Sequence, residues 1–537
     1  MNDEPLHQTP THAVTETEGR ALGLINLSGV KWVVLALLVG LLPGFLFLPA
    51  FGLPVAASCM FGPALVVAAF QYFFLQDKPP RWFAQWVETR LTGGHFSSLP
   101  RLTVRAPVAA YCAGGVVCLP DAGGKLHLAR GVRVTAPENR AAAGRVRNQL
   151  SACVVQAMNV LPENGRVQIR WSVSPDPGDR VRAYVQETPA DAPEAVRRYR
   201  NQKAIHFLKA AQVGQLRREE VTLWMGQEME RPQPSPDEKK DLALFYDRIL
   251  REQAAETGKL LTGLEAALAP VGVTFELLDA SAVAQEWHRT FNPSAASRRR
   301  TPAVPAETAF PLTEVGCSSD LRGLGDRGFM LDGEYCLLLA VSRLCDLTSP
   351  ETLDHFTTLP IPDFNFTVLL HRLPRQALLN DLETRLKRVQ QQLLREQNPQ
   401  LEVTRTQLAE KIAQVARGAV VPLVMKMIFF LHAATPEELR RQADLLKGAA
   451  ARINLQLFEA NLATTARDLF LLTLPGRLHG AEACFAHYGE SKYLAPLLPM
   501  PNAFEGFRTK AQALFLGVYL NLIGVRTFVG EGKASTP

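Results

Sequence analysis

The chain's nearest approach to a phosphate-cradling loop is Gly530-Glu531-Gly532-Lys533-Ala534. Such a loop needs the pattern GxxxxGK[ST], in which backbone amides hold the phosphates and a hydroxyl after the lysine binds magnesium. Here Thr527 stands where the first glycine belongs, and Ala534 carries no hydroxyl. No helix is expected after it to add its dipole, so no nucleotide site is assigned. Gly123-Gly124-Lys125-Leu126 fails for want of the same hydroxyl. There is no HExxH and no GxSxG, which removes the common zinc-protease and serine-hydrolase arrangements. The eleven histidines are isolated; His371 and His432 end apolar runs, where packing or a single hydrogen bond is their expected use. Asp332-Gly333-Glu334 reads as a hairpin turn, not as a carboxylate pair for acid–base work. The eight cysteines form no CxxC pair and none has zinc-ligand spacing from a histidine, so they read as buried thiols in a reducing compartment. The run Arg298-Arg299-Arg300 has the charge to meet phosphate or nucleic acid, but a solvated loop is the plainer reading. From these residues no catalytic group, cofactor-binding residue or metal ligand is assigned.

A chain of 537 residues exceeds one compact core, so more than one folding unit is expected. Short apolar strands recur, each followed by a helix start. Tyr335–Val341 precedes Ser349-Pro350-Glu351, and Met425–His432 precedes Thr435-Pro436-Glu437-Glu438. In the second case Thr435 caps, Pro436 fills the first turn and Glu438 closes a capping box. A weaker instance is Val132–Val134 before Pro137-Glu138. Further strands follow at Val167–Val173, Phe364–Leu370 and Ile453–Phe458, the first alternating as Val167, Ile169, Trp171 and Val173. Two long helical patterns stand apart. Leu379, Leu382, Leu386, Val389 and Leu393 recur at spacings of three and four; the pattern breaks at Asn398-Pro399 and resumes with Leu401, Leu408, Ile412 and Val415. This pair fits either a helical hairpin or a coiled-coil partner surface.

The N-terminal part has a different character. From Trp32 to Leu75 there is no Asp, Glu, Lys or Arg, which predicts two membrane spans, about 32–48 and 55–75, joined by a turn at Pro49–Pro54. Basic residues flank the spans: Lys31 before them, Lys78, Arg81 and Arg90 after them. Between Arg81 and Arg147 ten Lys or Arg stand against three acids, which favours a cytoplasmic position for both ends. Trp32, Tyr72, Trp82 and Trp86, with Lys78 and Arg81, are the expected membrane-interface residues. The net charge of +6 is too small for a dedicated nucleic-acid binder.

Three segments carry a resemblance. Phe329-Met-Leu-Asp-Gly-Glu-Tyr-Cys with Ser349-Pro-Glu-Thr-Leu-Asp and Leu359-Pro-Ile-Pro-Asp-Phe resembles the N-terminal region of the CagE/TrbE/VirB family, the ATPases of bacterial type IV secretion and conjugation machines. Phe429-Phe-Leu-His-Ala-Ala-Thr-Pro-Glu-Glu-Leu-Arg looks like the strand and capped helix of that family, and Asp468-Leu-Phe-Leu-Leu-Thr-Leu-Pro-Gly-Arg like its LPG segment. The similarity covers roughly residues 105–510, and residues 25–95 are similar in layout to the small two-helix inner-membrane (PrgI-like) subunit of the same machines. In that family the LPG segment leads to a motor with Walker sequences; none is read in this sequence, so no ATP-binding residue is carried over, and ATP would belong to a motor elsewhere.

The expectations are therefore these. The fold is α+β: an N-terminal transmembrane helical hairpin, then repeated strand-helix units with long helices. Residues 1–24 are expected to be a disordered polar terminus, 25–95 the anchor, 105–290 and 311–510 two α/β units joined by a linker at 291–310, and 511–537 a tail without a motor. The chain is a two-pass inner-membrane protein with its body in the cytoplasm, a non-catalytic component that contacts lipid and docks a motor ATPase and channel subunits. A nucleotide-binding member of the ATPase lineage and a DNA-contacting adaptor are the alternatives; a homo-oligomer is left open.

Overall fold

The structure is a computed structural model that describes residues 110–525 apart from short internal stretches, together with 11–12 and 61–62. The strands of its main sheet and the helices around it, in chain order and leaving aside the short helix Ser491–Leu494, are β1 (Tyr111–Ala113), β2 (Val116–Pro120), β3 (Lys125–Thr135), α1 (Gly144–Val160), β4 (Arg166–Ser174), α2 (Asp179–Gln186), α3 (Glu194–Gln212), β5 (Arg218–Glu230), α4 (Leu242–Leu268), β6 (Thr274–Leu277) and α5 (Ala280–Phe291). There follow β7 (Phe310–Pro311), β8 (Arg322–Gly323), β9 (Phe329–Leu331), β10 (Glu334–Arg343), α6 (Asp354–Thr357), β11 (Phe364–Arg372), α7 (Arg375–Leu393), α8 (Pro399–Ala416), β12 (Pro422–Ala433), α9 (Pro436–Arg452), β13 (Gln456–Glu459), α10 (Ala463–Leu472) and β14 (His487–Glu490).

The same path is traced twice. In the first unit β3-α1-β4, then β5-α4-β6, gives the spatial order β6-β3-β5-β4; in the second, β10-α6-β11, then β12-α9-β13, gives β13-β10-β12-β11. Each is a split βαβ arrangement with all neighbouring strands antiparallel. Each also carries a helical pair between its second and third strands, α2–α3 in one and α7–α8 in the other. The two second strands, β4 and β11, pair over eight residues from Val173↔Phe364 to Arg166↔His371. One continuous sheet of fourteen strands results.

One face of this sheet is apolar. Val167, Ile169, Trp171 and Val173 point into it from β4, as the alternation requires, and meet Phe366, Val368, Met427 and Phe429 of the second unit. A cross-strand aromatic row forms there. Trp171 stands edge-on to Phe364 at 5.1 Å, and Phe366 stacks on Phe429 at 4.2 Å. Such contacts add about 0.5–1.5 kcal/mol each beyond area burial. α1, α4 and α9 cover this face with Leu150, Val154, Leu261, Leu264, Leu439 and Leu446. Thr435 caps α9 as its sequence requires, its hydroxyl accepting from the Glu438 amide. The turn Asp332-Gly333 has φ of 54° and 79°, the left-handed pair that a two-residue hairpin needs between β9 and β10.

The expected transmembrane hairpin and two-pass inner-membrane placement are corrected. Among the described residues no helix is long and apolar enough to cross a membrane. The physical reason shows in α4, whose 27 residues are ample in length: Asp247, Arg248, Arg251, Glu252, Glu256 and Lys259 leave its apolar residues on one side only. Among the described residues the fold class is thus mixed helix and sheet, without the expected hairpin. The segments read as spans, 32–48 and 55–75, lie outside the described residues apart from Phe61 and Gly62.

Candidate functional site

The second face of the sheet holds the groups with chemical potential. Gln168 and Arg170 of β4, Thr222 of β5, Thr367 of β11 and Lys426 of β12 are buried on it. α5, α10 and the segment Thr473–His479 cover them. Gln168 is the organising residue. Its Nε2 donates to the carbonyls of Leu472 at 3.1 Å and Leu474 at 3.0 Å, and its Oε1 accepts from the Gly476 amide at 3.0 Å. Trp287 of α5 adds a bond from Nε1 to the Pro475 carbonyl at 3.1 Å. The Leu474-Pro475-Gly476 loop is therefore stitched to the sheet through its backbone. Gly476 has φ of 77°, and a Cβ there would lie 3.2 Å from the Trp224 ring, so both conformation and space call for glycine.

Beside this loop, Arg170 donates to Glu286 at 3.0 Å and to the Thr290 hydroxyl at 2.9 Å, all three on the covered face. Burial would push the Glu220 carboxyl up, but Arg218, Arg133 and Arg289 hold it below its usual range. Arg298, from the triple-arginine run, does not point to solvent. It pairs with buried Asp363, and His432 Nε2 lies 2.8 Å from the Arg298 guanidinium and 3.2 Å from the other Asp363 oxygen. Against the upward push of burial, Arg298 and His432 keep the Asp363 carboxyl low. These acids and bases are committed to one another as internal ion pairs.

A third group sits where β3, β5 and the end of the Thr473–His479 segment meet. His127 lies opposite Glu228 in the β3–β5 ladder, and His479 brings its ring against that of His127, centroids 3.7 Å apart and 32° between planes. Glu228 divides its carboxylate: Oε1 accepts from Lys125, while Oε2 is 3.9 Å from His127 Nδ1 and 3.7 Å from His479 Nδ1. Burial, aided by Arg166, His127, His371 and Arg477, pushes the His479 ring down to about 2, so it stays neutral. Among the described residues these three side chains form a group able to hold a metal ion. They are 101 and 251 residues apart along the chain (228 − 127 and 479 − 228), so no local spacing announces them. Only the pairing of β3 with β5 does.

The helical pair α7–α8 is largely exposed. Of its apolar repeat only Leu382 and Val415 are buried, and neither belongs to the four buried clusters of the body. Leu379, Leu386, Val389, Leu393, Leu401, Leu408 and Ile412 are half-covered, and Leu394 is 88% exposed. The hairpin alternative is the one observed. Lys411 ties its base to Glu490.

The expected interface residues Trp32, Tyr72, Lys78, Arg81, Trp82 and Trp86 lie outside the described residues, as does Lys533. Compared with models of known protein families the chain matches none, and a search of curated proteins also finds no match.

Proposed function

We propose that this chain is a non-catalytic docking component of a type IV secretion or conjugative transfer machine, and that the α7–α8 arm is where the machine's motor ATPase binds. The reading rests on the sequence resemblance. The observation that carries it furthest is that all three resembling stretches belong to one continuous structure: Phe329–Cys336 forms the β9–β10 hairpin, Phe429–Arg440 the β12–α9 junction, and Asp468–Arg477 the end of α10 and the loop held by Gln168. On the covered face Arg170 with Glu286, and Arg298 with Asp363, are spent in internal ion pairs, which suits a scaffold. The arm offers a half-covered apolar seam of two helices, the form that helix-in-groove or coiled-coil recognition uses.

The test is capture of the purified motor ATPase by the purified full chain, with Leu394→Asp and Val403→Asp on the arm as variants. Both positions are exposed, so folding is expected to be unchanged while capture falls at least about tenfold. ATP turnover by the chain alone, lost on Lys533→Ala, would contradict the non-catalytic reading.

A further inference from the structure

We propose that His127, Glu228 and His479 bind one divalent transition-metal ion, zinc by the nature of the donors. Two imidazole nitrogens and one carboxylate oxygen suit zinc and its neighbours, whereas magnesium and calcium take oxygen ligands. The three ligand atoms lie within 4.8 Å of one another, with edges of 3.7 and 3.9 Å from Glu228 Oε2 to the two Nδ1 atoms. Around a tetrahedral ion with bonds of about 2.0–2.2 Å, ligand atoms stand roughly 3.3–3.6 Å apart. Two edges thus need to close by only a few tenths of an ångström. The third closes by a swing of the His479 ring, which breaks its stacking on His127 and turns the two lone pairs toward a common point. His479 stands outside the strands, so this swing moves no ladder.

The surroundings fix the carboxylate and set the strength. Lys125 holds Glu228 Oε1, leaving Oε2 to face the imidazoles, the kind of outer contact that orients metal ligands. Against that, Lys125, Arg166 and Arg477 are cations close to the group, and Glu228 is the one acid in it. The site is therefore weaker than a closed structural zinc site. Three protein ligands leave the fourth position to water.

The proposal does not depend on the docking reading and is tested on the full chain stripped with chelator. Equilibrium dialysis against zinc should load one ion per chain. Cobalt in its place should give the visible absorption of a tetrahedral nitrogen/oxygen site. Glu228→Gln and His479→Gln should each weaken binding at least about tenfold, and Lys125→Met should leave an ion bound. Melting of the metal-free variants checks that they fold; if His479→Gln melts early, Glu228→Gln alone decides. No bound zinc, binding indifferent to both substitutions, or the near-ultraviolet band of cobalt on cysteine thiolate would each overturn the proposal.

Discussion

From a fully buried position Gln168 bonds the carbonyls of Leu472 and Leu474 and the amide of Gly476. Gln168→Leu keeps the side chain's bulk but takes their bonds from the Leu472 carbonyl and the Gly476 amide in a dry setting, while the Leu474 carbonyl keeps the Arg477 amide at 3.0 Å. The expected loss is roughly 2–5 kcal/mol, read as a lower urea midpoint. Asp363 makes a second residue-scale case, with a sign that can be worked out. Its carboxyl is held below the usual 3.8 in the folded chain, so the unfolded chain takes up its proton first as pH falls. The pair with Arg298 and His432 therefore contributes fully above about pH 4 and is lost as pH drops through the lowered value. Asp363→Asn should cost about 2–4 kcal/mol at pH 7, because it removes the carboxylate partner of half-buried Arg298. Melting curves of the two proteins should start to approach each other below about pH 4 and converge only once pH has passed the lowered value.

At the scale of elements, the α7–α8 arm is separable. The strands it joins are already paired from Phe364↔Leu431 to Arg372↔Leu423, and the Leu373 amide reaches the Pro422 carbonyl at 3.0 Å. Replacing residues 375–419 with a short glycine-containing turn should shift the melting temperature by less than about 5 °C. A collapse of the fold would show that the arm is part of the core. Elements of this kind were legible in the sequence where local pattern decides them. The alternation from Val167 to Val173, the Thr435-Pro436 cap, the Asp332-Gly333 turn and the break at Asn398-Pro399 each mark what is observed. What local pattern cannot show is which distant strands meet. The β4–β11 pairing joins residues about 200 positions apart, and the group of His127, Glu228 and His479 depends on the β3–β5 register. Arg298 follows the same rule: three adjacent arginines suggest solvent, but Asp363 is brought to the first of them by the fold. The membrane hairpin rests on the charge-free stretch, its Pro49–Pro54 turn and its basic and aromatic flanks, and no described helix has the length and apolarity to supply it.

For the molecule as a whole, the duplicated units share one core. The apolar cluster under α1, α4 and α9 includes Val167, Ile169 and Trp171 from the first unit and Phe366, Val368 and Phe429 from the second. With no boundary between them, heating should unfold both in a single calorimetric transition. Two separated transitions would mean that the β4–β11 seam is weak. A rigid double unit with one protruding helical pair is also the basis for the docking role, and that role is most directly tested by titrating the arm-excised chain and the intact chain against the purified motor ATPase. Binding by the intact chain, reduced at least about tenfold by excision while the excised chain still melts cooperatively, is the expected result. Equal binding by both chains, or binding by neither, would contradict it.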